Sequence, residues 1–229
     1  MDNLITAAND AENLSASFVT RIKGFENQVA ERETQARERA AKYGQLGSEQ
    51  DSSVRRVVKQ ATLDQARREV RRYRRELAAG TEAERTKRLQ ELLAIEAKAS
   101  KLAPLHESPV QMLSRMGLGS AERSRYYEQL CDAGPRELKN YADWARYKGD
   151  RILAAAVLSR LDTLPAKSRP FNATEFALDL VGKEFTQIKN AIERIRVAAQ
   201  RAVNANRDFE RGRIDATAKI TMGLARRAI

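Results

Sequence analysis

Reactive side chains are almost missing from this sequence. It has one cysteine, Cys131, and one histidine, His106, among 229 residues. A lone cysteine excludes an intramolecular disulfide and any multi-cysteine metal site, and it points to a reducing compartment. A lone histidine in the proline-bounded stretch PLHESP is expected at the surface, where it neither acts as a base nor activates Cys131. Glu175 and Asp179 share a helical face, a common spacing, but no histidine joins them as a metal ligand. Gly117-Leu118-Gly119 follows no strand and no lysine stands behind it at the distance of a phosphate loop. Catalysis, a cofactor and a metal are therefore not expected.

Apolar runs are short. The longest is Ile152 to Leu158, far below the roughly 20 residues that cross a bilayer as a helix. The opening MDNLITAAND is acidic where a secretory signal would be basic, so the expectation is a chain in the cytoplasm or within a virus particle. No strand-like alternation of useful length occurs, and no period of 20 to 50 residues repeats. Aromatics reach only 6%, whereas charged residues make up 32% and apolar ones 42%. With a mean hydropathy of -0.61, this balance favours long amphipathic helices.

Charge is plentiful and uneven. The 42 basic and 31 acidic residues give a net charge of +11. Residues 1 to 50 hold six basic and eight acidic groups, and residues 51 to 80 hold nine and four. A local excess of that size attracts nucleic acid, an anionic membrane surface or an acidic protein. Its centre is QARREVRRYRRE, residues 65 to 76, with six arginines. Leu63, Ala66, Val70, Tyr73 and Leu77 recur there at spacings of three and four, one stripe for a partner helix. Arg67, Arg68, Arg71, Arg72, Arg74 and Arg75 are expected on the remaining surface.

The helical pattern predicts a first helix from about residue 3 to 43, whose seam runs through Leu4, Ala8, Ala11, Ser15, Phe18, Ile22, Phe25 and Val29 and then fades into a solvated extension. A break at Gly44, Gly47 and SEQDSS follows. The arginine helix should end at Gly80 in a left-handed cap, with Thr81 and Glu84 at capping-box spacing to open the returning arm of a hairpin. Ser108 and Pro109 start a short helix, Ser120 another, and Gly134-Pro135 a longer one reaching about residue 164. After Pro165–Pro170, Asn172 opens a helix in which Leu178, Val181, Phe185, Ile188, Ile192, Ile195, Ala199 and Ala202 keep a heptad alternation. Asn206 and Phe209 continue it to about residue 211, and the tail after Gly212 suggests one more short helix. The expected fold is all-α: an elongated helical bundle with long heptad-patterned helices and a central group of shorter ones. Its expected domains are 1-104, 105-165 and 166-229.

Three constellations are candidates for binding. The first is the basic set Arg55, Arg56, Lys59, Arg67, Arg68, Arg71, Arg72, Arg74 and Arg75, suited to sequence-blind contact with a nucleic-acid backbone or to an acidic partner. The second, residues 109 to 131, has the outline of a helix-turn-helix in which Arg123, Arg125 and Tyr126 would read a duplex; ordinary packing of Met112, Leu113, Met116, Leu118, Tyr127 and Leu130 is the favoured reading. The third is Tyr141, Trp144 and Tyr147, interleaved with Lys139, Arg146, Lys148 and Arg151. Such rings could stack unpaired bases, but their shared stripe favours a buried face.

The leading expectation is a non-enzymatic structural or assembly protein. It would oligomerise through long helices along Leu178, Val181, Phe185, Ile188, Ile192 and Ile195, and contact nucleic acid or an acidic partner through residues 55 to 75. In general profile the chain resembles small helical internal, connector or ejected proteins of tailed-phage particles, a resemblance that carries no motif and no site residue. The alternatives are a DNA-binding regulator or packaging factor using 109-131, and a helical adaptor or chaperone without a nucleic-acid role.

Overall fold

The computed structural model describes residues 2–45 and 52–212. These form eight α-helices: α1 (Asp2–Gln45), α2 (Ser52–Gly80), α3 (Glu82–Leu102), α4 (Pro109–Ser114), α5 (Ala121–Leu130), α6 (Pro135–Lys148), α7 (Arg151–Thr163) and α8 (Ala173–Arg211). Short 3-10 turns occupy Ala103–His106 and Ala166–Ser168. There is no strand among the described residues, so the fold is all-α. The expected tail helix and residues 46–51 of the expected break lie outside the described residues.

Most helix starts follow from their caps. The Ser108 hydroxyl accepts from the Gln111 amide at 3.1 Å, with Pro109 in the first turn, where its missing N–H costs nothing. Ser120 accepts from the Arg123 amide at 3.2 Å, and Asn172 Oδ1 accepts from the Thr174 amide at 2.8 Å. Gly212 ends α8 with φ of 66°, a conformation glycine adopts without a Cβ clash.

Two junctions depart from expectation. The helix expected to run from Pro135 to about residue 164 is broken at Gly149, whose φ is 66°. There the Gly149 amide donates to Arg146 and the Asp150 amide to Ala145, a Schellman pair that satisfies the last carbonyls of α6. Asp150 then caps α7, accepting from the amides of Ile152 and Leu153 at 3.0 and 2.9 Å. At Gly80 the expected left-handed cap is not formed, since its φ is not positive. Thr81 donates its amide to Leu77 O, and Arg85 donates its amide to Thr81 O. Both are helical spacings, so hydrogen bonding runs from α2 into α3 without the expected reversing turn. The Thr81 hydroxyl donates to Leu77 O at 2.8 Å, and Glu84 pairs with Arg21 and Arg88, so neither completes a capping box.

Packing divides the chain into two compact units, Met1–Asn9 with Ile95–Ile195, and Asp10–Ala94 with Arg196–Ile229. The first is built around α7, in which Leu153 to Leu158 and Leu161 are all buried. A helix apolar on every side needs neighbours on every side, and α4, α5 and α6 pack against it. Met112, Leu113, Leu130, Leu138, Phe176 and Val181 complete this core. In α8, Val181, Ile188, Ile192 and Ile195 are buried and Phe185 is half-buried, but Leu178 is 45% exposed. Leu178 is a correction to the expected interface. Phe176 and Ala177 take the inward positions at this end of α8, which turns residue 178 outward.

In the second unit, Ala11, Ser15, Phe18, Ile22, Phe25 and Val29 of α1 are buried, as are Ala198, Ala199, Ala202 and Phe209 of α8. The Ser15 hydroxyl donates to Ala198 O at 2.7 Å, which satisfies a polar group inside an apolar seam. The α1 extension expected to be solvated is not: Ala36 and Ala40 are buried with Ala66, and Leu63 and Val70 pack against them. Alanines at that spacing let two helices approach closely, and a pattern dominated by charge hid them.

Candidate nucleic-acid interface

The acidic residues of α2 decide which of its cations remain available. Asp64 accepts from Arg67 at 3.1 Å and Glu76 from Arg72 at 2.7 Å, both along the helix. Glu69 turns instead to α1, where Arg32 and Arg39 reach it at 2.8 and 2.9 Å. The Arg39 hydrogen bond is the main reason its carboxyl lies below the ordinary 4.5. Glu69 therefore holds two helices together and neutralises none of the arginines beside it.

Arg74 is a correction. Its guanidinium is 17% exposed and donates to both oxygens of Glu26 at 2.7 Å and to Phe209 O at 3.0 Å. Sequence counting assigned it to the surface, but residue 74 falls on the same side as Val70 and Leu77 and is drawn inward by a carboxylate of α1. A second internal arginine was not anticipated at all. Arg85, 3% exposed, donates to Glu210 at 2.7 Å and to Ala78 O at 2.8 Å, bonds Asn206, and lies 5.3 Å from the Phe209 ring centroid. The only hint of this was Asn206 at a core position of α8.

What remains is a basic face. Arg55, Arg56, Lys59, Arg68, Arg71, Arg72 and Arg75 are exposed. Among the described residues Arg56, Lys59, Arg68, Arg71 and Arg75 have no carboxylate partner. Arg68, Arg71 and Arg75 recur at three and four, with Arg68 and Arg75 turned away from Leu63, Ala66 and Val70 and Arg71 at the edge of that apolar stripe. The Nε groups of Arg71 and Arg75 donate to the carbonyls of Arg67 and Arg71, at 3.3 and 3.4 Å. Their terminal nitrogens stay in solvent, available to phosphate or carboxylate oxygens.

The helix-turn-helix outline resolves differently. Gly117 and Gly119 make the turn with φ of 64° and 78°, and a Cβ at residue 117 would lie 2.9 Å from Ile152 Cγ2. Arg123 donates to Ser114 O at 2.6 Å, Met116 O at 3.1 Å and Ser159 Oγ at 3.0 Å, and burial lowers its pKa. Tyr126 donates its hydroxyl to Asp150 at 3.0 Å, which together with burial raises its pKa. Arg123 ties α5 to the end of α4 and to Ser159 of α7, Tyr126 ties it to the residue that caps α7, and of the three only Arg125 is exposed. Of the expected core residues here, Met112, Leu113 and Leu130 are buried, whereas Leu118 and Tyr127 are exposed.

The aromatic stripe of α6 is also a correction. Tyr141, Trp144 and Tyr147 are 37%, 57% and 85% exposed. The buried side of α6 is Leu138, Ala142 and Ala145, whose small side chains let it approach α7 closely. Spacing alone shows a stripe and not which stripe is buried, and it is the one through Leu138, Ala142 and Ala145 that faces inward.

His106 is half-buried, and burial followed by the Arg115 charge lowers its pKa. Among the described residues no three of His, Cys, Asp and Glu come together as a metal ion would require. No described helix is long and apolar enough to cross a membrane. No family model, curated protein or solved structure matches the chain.

Proposed function

We propose that this protein is a non-enzymatic assembly component that holds nucleic acid by its backbone through α2, as in the interior of a nucleic-acid-containing particle. One observation carries the reading: Arg68, Arg71 and Arg75 share an exposed face with no carboxylate partner among the described residues. Guanidinium groups so placed displace counterions from a phosphate chain without reading bases. Self-association is part of the proposal and rests on Val54, Val57 and Val58, which are exposed at the start of the same helix. The α8 seam supports it less, because Val181, Ile188, Ile192 and Ile195 are buried by the chain itself.

The test is anisotropy of labelled duplexes of unrelated sequence over a salt series. Equal affinities that fall steeply with salt are expected. Changing Arg68, Arg71 and Arg75 to Glu should lower the slope of log K against log salt by about three, at roughly 0.9 per phosphate contact. A slope that does not move removes the reading.

An acidic helical protein is the second reading, favoured by a crevice of about 690 Å³ between α1 and α2. Leu63, Ala66 and Val70 line it together with Arg37, Arg67, Arg71 and Glu33, which pairs with Arg37, so an acidic amphipathic helix would meet apolar groups and an excess of basic ones. Leu63→Asp separates the two, weakening such a helix and sparing DNA.

A further inference from the structure

Trp144 is the only tryptophan in the chain, and it is exposed in the first unit, beside a groove lined from α5, α6 and α7. A solvated indole between two solvated tyrosines carries a hydration cost that a buried stripe would not. The surroundings define a groove of about 350 Å³ lined by Tyr126, Gln129, Asn140, Tyr141, Trp144 and Leu153. That is within the roughly 300–1,000 Å³ typical of small-ligand clefts.

We propose that this face binds unpaired nucleic acid, with bases stacking on Trp144 and its flanking tyrosines and phosphates lying against Lys148. The three rings stand three residues apart, about 4.5 Å per step along the helix axis. One base per ring is a fair match to that spacing, and every base has a face that stacks on an aromatic ring. Gln129 and Asn140 are exposed, and among the described residues neither amide has a hydrogen-bond partner, so both can meet base edges. The Lys148 ammonium lies over the Trp144 ring, 5.2 Å from its centroid, so a base stacks on the other face or displaces the ammonium, which then meets the adjoining phosphate.

Charge selects this occupant over a second copy. Both acidic residues of α6 are engaged, Glu137 by the Gly134 amide at 3.1 Å and Asp143 by Arg146 at 3.0 Å. Arg136, Lys139 and Lys148 are exposed without a carboxylate partner among the described residues. α6 carries Arg136, Lys139, Arg146 and Lys148 against Glu137 and Asp143, a net charge of +2, while Arg123 and Arg125 of α5 balance Glu122 and Glu128. Two copies of α6 brought together would repel weakly, whereas a phosphate chain would be drawn in. An acidic protein would satisfy the cations, but it leaves the run of flat rings and the open amides unexplained. The α2 reading plays no part here, since the residues, the unit and the mode of binding all differ.

Because Trp144 is unique, its emission reports on this face alone. The full chain is titrated at low salt with oligothymidylate longer than the ~4–16 nucleotides that single-strand binding folds cover. Saturable quenching is expected, and Tyr147→Ala should weaken the affinity about tenfold. Lys148→Gln should reduce the salt slope by about 0.7, the value for one phosphate contact on a single strand. The variant with Arg68, Arg71 and Arg75 changed to Glu should keep the quenching while losing duplex binding, so the two proposals fail separately. Tyr147 is exposed enough that its removal leaves the fold intact, which circular dichroism checks. No quenching, equal quenching by polyphosphate, or stronger quenching by polyglutamate would each overturn the proposal. So would an emission shift that depends on protein concentration alone, which would make this face an interface between copies.

Discussion

Around α7 six consecutive residues, Leu153 to Leu158, are buried, whereas beyond residue 30 the α1–α2 contact rests on Ala36, Ala40 and Ala66 with Leu63 and Val70 half-buried. Burying a leucine is worth about 1.5–3 kcal/mol, and an alanine methyl much less. The α1–α2 contact adds Glu69 with Arg32 and Arg39, but pairs so open to solvent add little. One region is therefore specified by apolar volume, the other by close approach and charge. The difference matters for function, because an apolar core leaves its surface charges undirected, while a helix pair built on ion pairs must choose which cations stay outside.

The largest expected effect tests the first half of that contrast. Leu158→Ala should cost about 2–5 kcal/mol in urea unfolding followed by circular dichroism, since it opens a cavity where α7 has neighbours on every side. Leu63→Ala should cost clearly less. If the two costs were equal, packing would not separate the regions.

Arg85→Ala should cost about 2 kcal/mol, because it leaves Ala78 O, Asn206 and Glu210 without their donor. Arg85→Met should recover part of that, because its side chain refills the space of the arginine stem beside Phe209 although Glu210 still lacks its partner. Hydrogen exchange should show the loss in α3 and the end of α8, with α7 protected as before. Loss spread evenly over all helices would sink the idea that the network serves its own unit.

Acid should act in the same place, more weakly. Hydrogen bonds from Arg39 to Glu69 and from Arg85 to Glu210 are the leading causes that hold both carboxyls below 4.5. A carboxyl with a lowered folded pKa adds stability above 4.5, and that stability fades as pH falls through the folded value. The second unit should therefore lose protection as pH drops below 4.5. Both side chains are more than a third solvated or nearly so, which keeps the effect smaller than that of Arg85→Ala. Glu69→Gln should flatten the acid response of α1 and α2; an unchanged response would remove Glu69 from the account.

The helices themselves were legible because their signals are local. Ser108, Ser120, Asn172 and Gly212 act through backbone groups within a few residues, and all four behave as their types dictate. Gly149-Asp150 carried an equally local signal for the break, a glycine followed by a capping carboxylate. Which side of α6 faces inward is not local, since Leu138, Ala142 and Ala145 form a helical stripe just as Tyr141, Trp144 and Tyr147 do. Arg74 and Arg85 were hidden for a different reason. Their partners Glu26 and Glu210 stand 48 and 125 residues away, and no spacing along one helix shows a pair made across the fold. The same limit applies to Arg123, whose acceptors include Ser159. The arginine face was legible as an excess of charge, and only the geometry shows which arginines compose it.

The smallest expected effect on stability sharpens that last point. Arg68, Arg71 and Arg75 touch no carboxylate among the described residues, so replacing all three with Gln removes no ion pair and keeps straight-chain side chains that suit a helix. Each substitution should shift stability by no more than about 0.5 kcal/mol, in the favourable direction because six arginines within residues 65–76 repel one another. Arg74→Gln, a change of the same type one residue from Arg75, should cost more than the three together, because it strands Glu26 against Phe209 O. Duplex binding should show the reverse order, with the triple variant losing its salt-sensitive affinity and Arg74→Gln retaining it at a temperature where it is folded. If Arg74→Gln instead lost duplex affinity while folded, or the triple variant were the less stable, the division of α2 into an inward arginine and an outward face would be wrong.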